Sequence, residues 1–214
     1  MAADLTSPPQ LIVLGPPGAG KGTQAARLAQ HLGLVHISPG RILRDEAETE
    51  SERGRRIRAI MAAGELVPED VVDRVVRERL EALSDEEGFV VDGYPRTASE
   101  ALTLRDSLAQ IGRLQHRPLV VWLEVPRDAL LRRLRRRRAR EGRADDAEAA
   151  ITRRLETHDA HARAVREAMD GWADVIVIDG CRPADEVSEE ILQGLGRRGW
   201  RLPSRQAAPK QEFG

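Results

Sequence analysis

Gly15-Pro-Pro-Gly-Ala-Gly-Lys-Gly-Thr23 follows the apolar run Leu11-Ile-Val-Leu14 and opens a helix-like stretch from Gln24 to Leu32. The spacing G-x-x-x-x-G-K, after a strand and before a helix, is that of a phosphate-binding loop. Glycine lets the backbone bend and bring its N–H groups close to oxyanions, and the helix N-terminus adds its positive dipole end. Lys21 reaches outer phosphates as a compact point charge. Of 34 Lys and Arg residues only Lys21 and Lys210 are lysine, so a lysine here marks a need for an ammonium. Gly15, Gly18, Ala19, Gly20, Lys21, Gly22 and Thr23 are therefore candidate contacts to a nucleotide's phosphates. The general motif places Ser or Thr after the lysine to meet Mg²⁺. Here Gly22 stands there, and the hydroxyl comes one residue later, at Thr23.

A chain of 214 residues with 41% hydrophobic content supports one domain with a small insertion. Aromatics are only 3%, so Leu, Val, Ile and Ala must pack the core. The net charge of −1 argues against broad attraction to nucleic acid or membrane surfaces, which needs a basic excess. The single cysteine, Cys181, cannot form an internal disulfide and fits a reducing, cytoplasmic compartment. No apolar run approaches the roughly 20 residues that span a bilayer. Residues 1–9 lack the features of a secretory signal and read as a flexible lead-in. Residues 201–214 read as a disordered tail.

Apolar runs predict strands at about Gln10–Leu14, Leu34–Ile37, Gly88–Asp92, Leu119–Leu123 and Asp174–Ile178, separated by helical stretches. Helical spacing places Val72, Val75, Val76 and Leu80 on one face, and Ile151, Leu155, Ala162, Val165 and Met169 on one side of a long helix over 147–169. Ser38 reads as an N-cap with Pro39 at the first helical position. Five short apolar strands alternating with helices predict an α/β fold, a parallel sheet covered on both faces. Ligands in such folds bind at the carboxyl ends of the strands. Gly15, Ser38, Asp92, Val125 and Asp179 all lie just past strand ends and are expected to converge.

In Asp92-Gly-Tyr-Pro-Arg96, Asp92 can hold Mg²⁺ through waters, as a carboxylate ending a second strand does in phosphate-loop enzymes. Arg96 can grip a phosphate bidentately. Singly, Asp92 reads equally as a cap and Arg96 as half of a surface ion pair. Together with GPPGAGKGTQ at 15–24, IMAAGELV at 60–67, DGYPRT at 92–97, and Gly142-Arg-Ala-Asp-Asp146, they resemble the adenylate kinase family of nucleoside monophosphate kinases. The resemblance runs from about Leu11 to Leu195. It implies a P-loop NTPase-like, five-stranded parallel core with two mobile inserts, in one domain over 10–200. One insert, about 38–67, binds the monophosphate; the other is a short lid, about 138–143. The lid lacks the cysteines of some longer-lid members, so no structural zinc is expected. ATP and Mg²⁺ are the implied donor and cofactor, AMP the default acceptor, and a monomer the expected state.

The resemblance also assigns roles by position. Arg44 and Arg96 clamp the monophosphate, with Ser38, Pro39, Gly40, Leu66, Val67, Gly93 and Glu100 around it. Arg133 packs on the ATP base, near Arg182. Arg137, Arg143 and Arg154 gather at the transferring phosphoryl group with Lys21, and Asp92 serves the metal. Asp145 and Asp146 orient the lid arginines or cap a helix. Arg135, Arg136, Arg138 and Arg140 have no matched role and read as a solvated face.

Three residues depart from the family pattern at the monophosphate site: Pro39 for threonine, Arg41 for aspartate, Glu100 for the adenine-reading glutamine. An ionised carboxylate only accepts hydrogen bonds. That suits guanine's adjacent ring N–H and amino donors, and opposes adenine's ring nitrogen. GMP, or a relaxed base choice, is thus an alternative acceptor. Thr97-Ala-Ser-Glu100 is also a capping box, in which Glu100 serves Thr97 N–H and reads no base. Adenine reading through a water or a protonated carboxyl is a third reading. A nucleotide-binding regulator without turnover is a rival from another class.

Overall fold

The computed structural model describes residues 8–197. The expectations for residues 1–7 and for the tail fall outside the described residues. Pro9, counted with the lead-in, is instead fixed: its carbonyl accepts from Phe89 N–H at 2.9 Å.

Five strands form the sheet: β1 (Gln10–Leu14), β2 (Val35–Ile37), β3 (Phe89–Asp92), β4 (Leu119–Glu124) and β5 (Asp174–Asp179). All pair in parallel, in the order β2-β3-β1-β4-β5. The helices are α1 (Lys21–Leu32), α2 (Pro39–Ala47), α3 (Glu52–Ala62), α4 (Glu69–Glu81), α5 (Ala98–Gln110), α6 (Arg127–Glu141), α7 (Glu148–Met169) and α8 (Ala184–Arg197). Alternate strand residues feed two cores. Ile12, Leu14, Phe89, Val91, Val120 and Trp122 pack under α2 to α5. Leu11, Val13, Val90, Leu119, Val121 and Leu123 pack under α1, α6 and α8. Burial on both faces is why the central strands β1, β3 and β4 read as continuous apolar runs rather than as alternation.

The apolar stripe of α7 is not one seam. Ile151 and Leu155 join the second core, while Val165 and Met169 join the first. A helix of 22 residues is about 33 Å long at 1.5 Å per residue, enough to pass from one layer to the other. Its midpoint, Arg154 to Ala162, therefore crosses the carboxyl ends of the strands. Chain order reverses around β1, which leaves a crevice above its end. The phosphate-binding loop sits there.

Candidate active site

The loop between β1 and α1 is shaped by close approaches. Gly15 has φ +137°, and a Cβ on it would lie 2.5 Å from the Leu123 carbonyl oxygen. At Gly18, with φ +84°, a Cβ would lie 2.9 Å from Leu134 Cγ. Neither position tolerates a side chain, so the loop is pressed onto β4 and α6. Lys21 folds back over it, Nζ donating to the carbonyls of Gly15 at 2.8 Å and Pro16 at 2.9 Å.

A cavity of about 350 Å³ opens above this loop. The loop lines it with Gly15, Gly18, Gly20, Lys21, Gly22 and Thr23. The insert over 38–67 brings Ser38, Gly40, Arg44, Leu66 and Val67, and the end of β3 brings Asp92, Gly93 and Arg96. Helices α6 and α7 and the turn between them bring Arg137, Arg143, Asp145 and Arg154. Most of the expected site residues thus meet in one cleft.

Its arginines are held in fixed orientations. Arg137 pairs side-on with Asp146, Nε to Oδ2 and Nη2 to Oδ1, both at 2.6 Å. Arg143 pairs in the same way with Asp145, at 3.0 and 2.9 Å. Arg154 Nη1 donates to the Asp145 carbonyl at 2.8 Å and to Asp146 Oδ1 at 2.9 Å. Asp146 is completely buried, so its charge is tolerable only because two guanidinium groups surround it. Asp145 and Asp146 lie in a 3₁₀ turn, Ala144–Asp146, and cap no helix: Ala147 is at the N-cap position of α7. Arg96 Nε donates to the Gly93 carbonyl at 2.8 Å. A Cβ on Gly40 would sit 3.4 Å from Arg44 Nη1 and 3.5 Å from Arg96 Nη2, so both guanidinium groups flank that glycine.

Positive charge dominates the cleft. Burial, then Arg96, Arg154 and Arg137, push the Lys21 ammonium down to about 7, with Asp92 opposing. Burial, then Arg143, push Arg44 down to about 10. Asp145 goes the other way: against the effect of burial, its bond to Arg143 and the charge of Arg154 hold it at about 2. Lys21, Arg44, Arg96, Arg137, Arg143 and Arg154 outnumber the facing carboxylates Glu65, Asp92, Glu141 and Asp145. Such a cleft fits a polyanion.

Asp92 Oδ2 lies 2.7 Å from His36 Nε2, and accepts from it when the imidazole carries its proton there. Burial raises the Asp92 carboxyl, but His36, then Ser38 and Lys21, more than compensate, so it stays ionised. Its Oδ2 lies 3.5 Å from where a Gly22 Cβ would be, beside the loop. Among the described residues no group of three or more His, Cys, Asp or Glu could enclose a metal. One ionised carboxylate beside a phosphate loop fits a hard cation that keeps its waters and is carried in largely by phosphates.

Several expected site residues lie elsewhere. Ala19 is buried beneath the loop, its N–H on the Pro16 carbonyl at 3.1 Å. Pro39 is buried as the first residue of α2, because its ring packs inward there. Ser38 makes no cap bond. Arg133 is off the cleft wall, Nη2 on the Cys181 carbonyl at 3.3 Å, and Arg182 pairs with Glu190. Val125 and Asp179 line a separate recess behind Pro16. Glu100 is the largest correction: it is 2% exposed and off the cleft wall, its Oε2 turned back to Arg96 N–H. The cap of α5 is half as expected, with Glu100 N–H donating to Thr97 Oγ1 at 3.1 Å, but the carboxylate serves the residue before the cap. Arg135 pairs with Glu148 at the surface, and Arg136, Arg138 and Arg140 are exposed, as read.

Trp122, Thr157 and His158 line the cleft without having been singled out from the sequence. His158 follows Arg154 by four residues on α7, a spacing that puts both on one face. Burial, then Lys21, push its imidazole down to about 4, so it is neutral near pH 7. Trp122 pairs in register with Leu14, the last residue before the loop.

A phosphate loop at the switch point of a parallel sheet, faced by arginines and a strand-end carboxylate, defines a P-loop phosphotransferase of the nucleotide kinase class. A family model described as Adenylate kinase matches residues 13–171. An adenylate kinase of Thermus thermophilus is 42% identical over 187 residues, covering 87% of this chain and 96% of that protein. That of Bifidobacterium longum is 37% identical over 187 residues, 87% and 99% of the two chains. One from Stenotrophomonas maltophilia is 38% identical over 186 residues, 87% and 98%. The chain belongs to the adenylate kinase family.

Proposed function

We propose that the protein transfers the γ-phosphoryl group of ATP to AMP, reversibly, yielding two ADP. The observation that carries this reading is the convergence of Lys21, Arg44, Arg96, Arg137, Arg143 and Arg154 on one cleft above the phosphate loop. Phosphoryl transfer asks for in-line positioning and charge neutralisation rather than a covalent intermediate. In this reading the loop backbone and Lys21 hold the β- and γ-phosphates of ATP. Arg44 and Arg96 clamp the acceptor's phosphate from the opposite side. Arg137, Arg143 and Arg154 face the group in flight. Mg²⁺, when bound with the nucleotide, supplies charge neutralisation between phosphate oxygens, and Asp92 would hold it through water.

Residues 38–67 act as the monophosphate-binding insert and residues 138–143 as the lid, closing to exclude water from the transfer. Leu43, Met61, Leu66 and Val67 give the acceptor base an apolar wall. The GMP reading depended on a carboxylate at position 100 facing that wall, and Glu100 faces away from it. A regulator without turnover would have no use for arginines oriented at a transfer point. The test is a panel of AMP, GMP, CMP, UMP and dAMP with ATP and Mg²⁺, read as diphosphate formed. AMP is expected to be the preferred acceptor; a preference for GMP, or no transfer to any of them, refutes the proposal.

A further inference from the structure

Glu100 stands three residues after the cap of α5, yet its carboxylate reaches past the cap. Oε2 accepts a short hydrogen bond from the Arg96 backbone N–H. The rest of residue 100 is engaged in the same loop: its N–H donates to Thr97 Oγ1 at 3.1 Å, and its carbonyl lies 3.2 Å from the Tyr94 hydroxyl. That hydroxyl donates to Asp73 Oδ1 at 2.6 Å, and Thr97 Oγ1 donates to Glu69 Oε1 at 2.6 Å. The segment 94–97 is thereby tied to α4 and α5 through Tyr94, Arg96 and Thr97. Arg96 is gripped at two points, its N–H by Glu100 and its Nε by the Gly93 carbonyl. The outer end of its guanidinium is left to reach the cleft, where it flanks Gly40 beside Arg44.

We infer that Glu100 is a positioning residue for the Arg96 phosphate clamp and takes no part in choosing the acceptor base. The inference rests on the proposed role of Arg96 as a clamp. Burial pushes the Glu100 carboxyl up, with the Arg96 N–H and the Arg96 charge opposing; ionised or protonated, its Oε2 can accept the Arg96 N–H, which is otherwise left without an acceptor. The loop carries the clamp on a single side chain, so a loop shift of about 1 Å is enough to cost roughly 10²-fold in a well-placed site. An amide at position 100 keeps the acceptor oxygen that the Arg96 N–H needs. Glutamine is therefore a conservative replacement. Methionine fills the same space and accepts nothing from Arg96.

The experiment compares wild type, Glu100→Gln and Glu100→Met with ATP and either AMP or GMP, alongside ATP binding measured without acceptor. Glu100→Met is expected to raise the monophosphate KM by about 10- to 100-fold, the loss of one buried hydrogen bond, by a similar factor for AMP and GMP. Its ATP dissociation constant stays within about twofold, a separation that general loss of structure would not give. Glu100→Gln is expected to stay within about threefold in AMP KM and to keep the AMP-to-GMP ratio. A change of that ratio by about tenfold in Glu100→Gln restores the base-reading role and overturns the inference. So does an unchanged AMP KM in Glu100→Met. A wild type that phosphorylates neither monophosphate overturns the proposed function, and the inference with it. If Glu100→Met does not fold, Glu100→Ser replaces it with the same KM expectation.

Discussion

Asp146→Asn tests whether Arg137 and Arg154 are preset by a buried aspartate. Asp146 has no solvent exposure and receives two bonds of 2.6 Å from Arg137 and one of 2.9 Å from Arg154. Asparagine has the same shape but keeps one acceptor oxygen, and its NH₂ is turned against a guanidinium donor. At least one charge-assisted bond is lost and the rest are weakened, at about 1.5–3 kcal/mol each, which agrees with the roughly 3–5 kcal/mol for breaking a buried ion pair. In a domain of this size each kcal/mol moves the melting temperature by about 2–4 °C, so a fall of about 6–20 °C is expected if the loss is global. Catalysis should suffer further, because two guanidinium groups lose their orientation together; a fall in kcat of about 10²- to 10³-fold is expected at temperatures where the variant is folded. Differential scanning fluorimetry and a coupled assay of ADP formation measure the two effects. A variant that melts within about 2 °C of wild type and keeps kcat within about threefold would refute the argument.

Lys21 predicts a proton linkage. Its folded pKa of about 7 lies below the ordinary value of 10.5, so between those values the free fold carries fewer protons than the unfolded chain and gains stability as pH rises. Phosphates restore the charged ammonium, so ATP binding should take up little at about pH 6 and approach about one proton near pH 8.5. Calorimetry in buffers of different ionisation enthalpy measures this, with Lys21→Met as the reference; equal uptake by both proteins would refute it. Gly64 has φ +74°, and a Cβ on it would meet Ala150 Cα and carbonyl oxygen at 2.7 Å, next to the Glu65–Arg153 ion pair of 2.7 Å. Gly64→Ala should hold the 38–67 segment off α7 and raise the AMP KM about 10-fold or more, from an overpacking cost of about 1–3 kcal/mol, with ATP affinity little changed. An unaltered AMP KM would show that this contact does not govern closure.

The features most legible in the sequence are those with a backbone cause. Gly15 and Gly18 are glycines because Leu123 and Leu134 leave no room, so the loop announced itself. The three central strands, β1, β3 and β4, announced themselves because they are buried on two faces. Side-chain direction was less legible. Nothing in Thr97-Ala-Ser-Glu100 says whether the carboxylate turns toward a base, toward Thr97 or one residue further back to Arg96. His36 was missed because β2 has only three residues, too short to show which face a side chain takes. The split of α7 between two cores was invisible because both cores ask for the same residue types at the same spacing. Ala19 and Pro39 belong to the right motifs, but a motif includes residues that shape a site from beneath it.

The arginine bias of the chain acquires a physical reason at the cleft. Side-on pairing uses Nε and Nη2 of Arg137 and Arg143, and leaves Nη1 on the opposite edge of each planar fork. Arg154 uses Nη1 and leaves Nε and Nη2. Arg137 and Arg143 are thus each fixed along one edge by an aspartate, and Arg154 through one nitrogen, with other donors kept, so little reorganisation is needed when charge builds in the transition state. A lysine ammonium has no second edge; bound to an aspartate it would be oriented by nothing. Lys21 meets the opposite need. Its Nζ rests on the Gly15 and Pro16 carbonyls, and as a compact ammonium it keeps a donor for a phosphate. The same reasoning separates Asp146 from Asp92: one is spent on arginines, while the other, beside His36, Ser38 and the Lys21 charge, keeps the capacity to serve a hydrated cation.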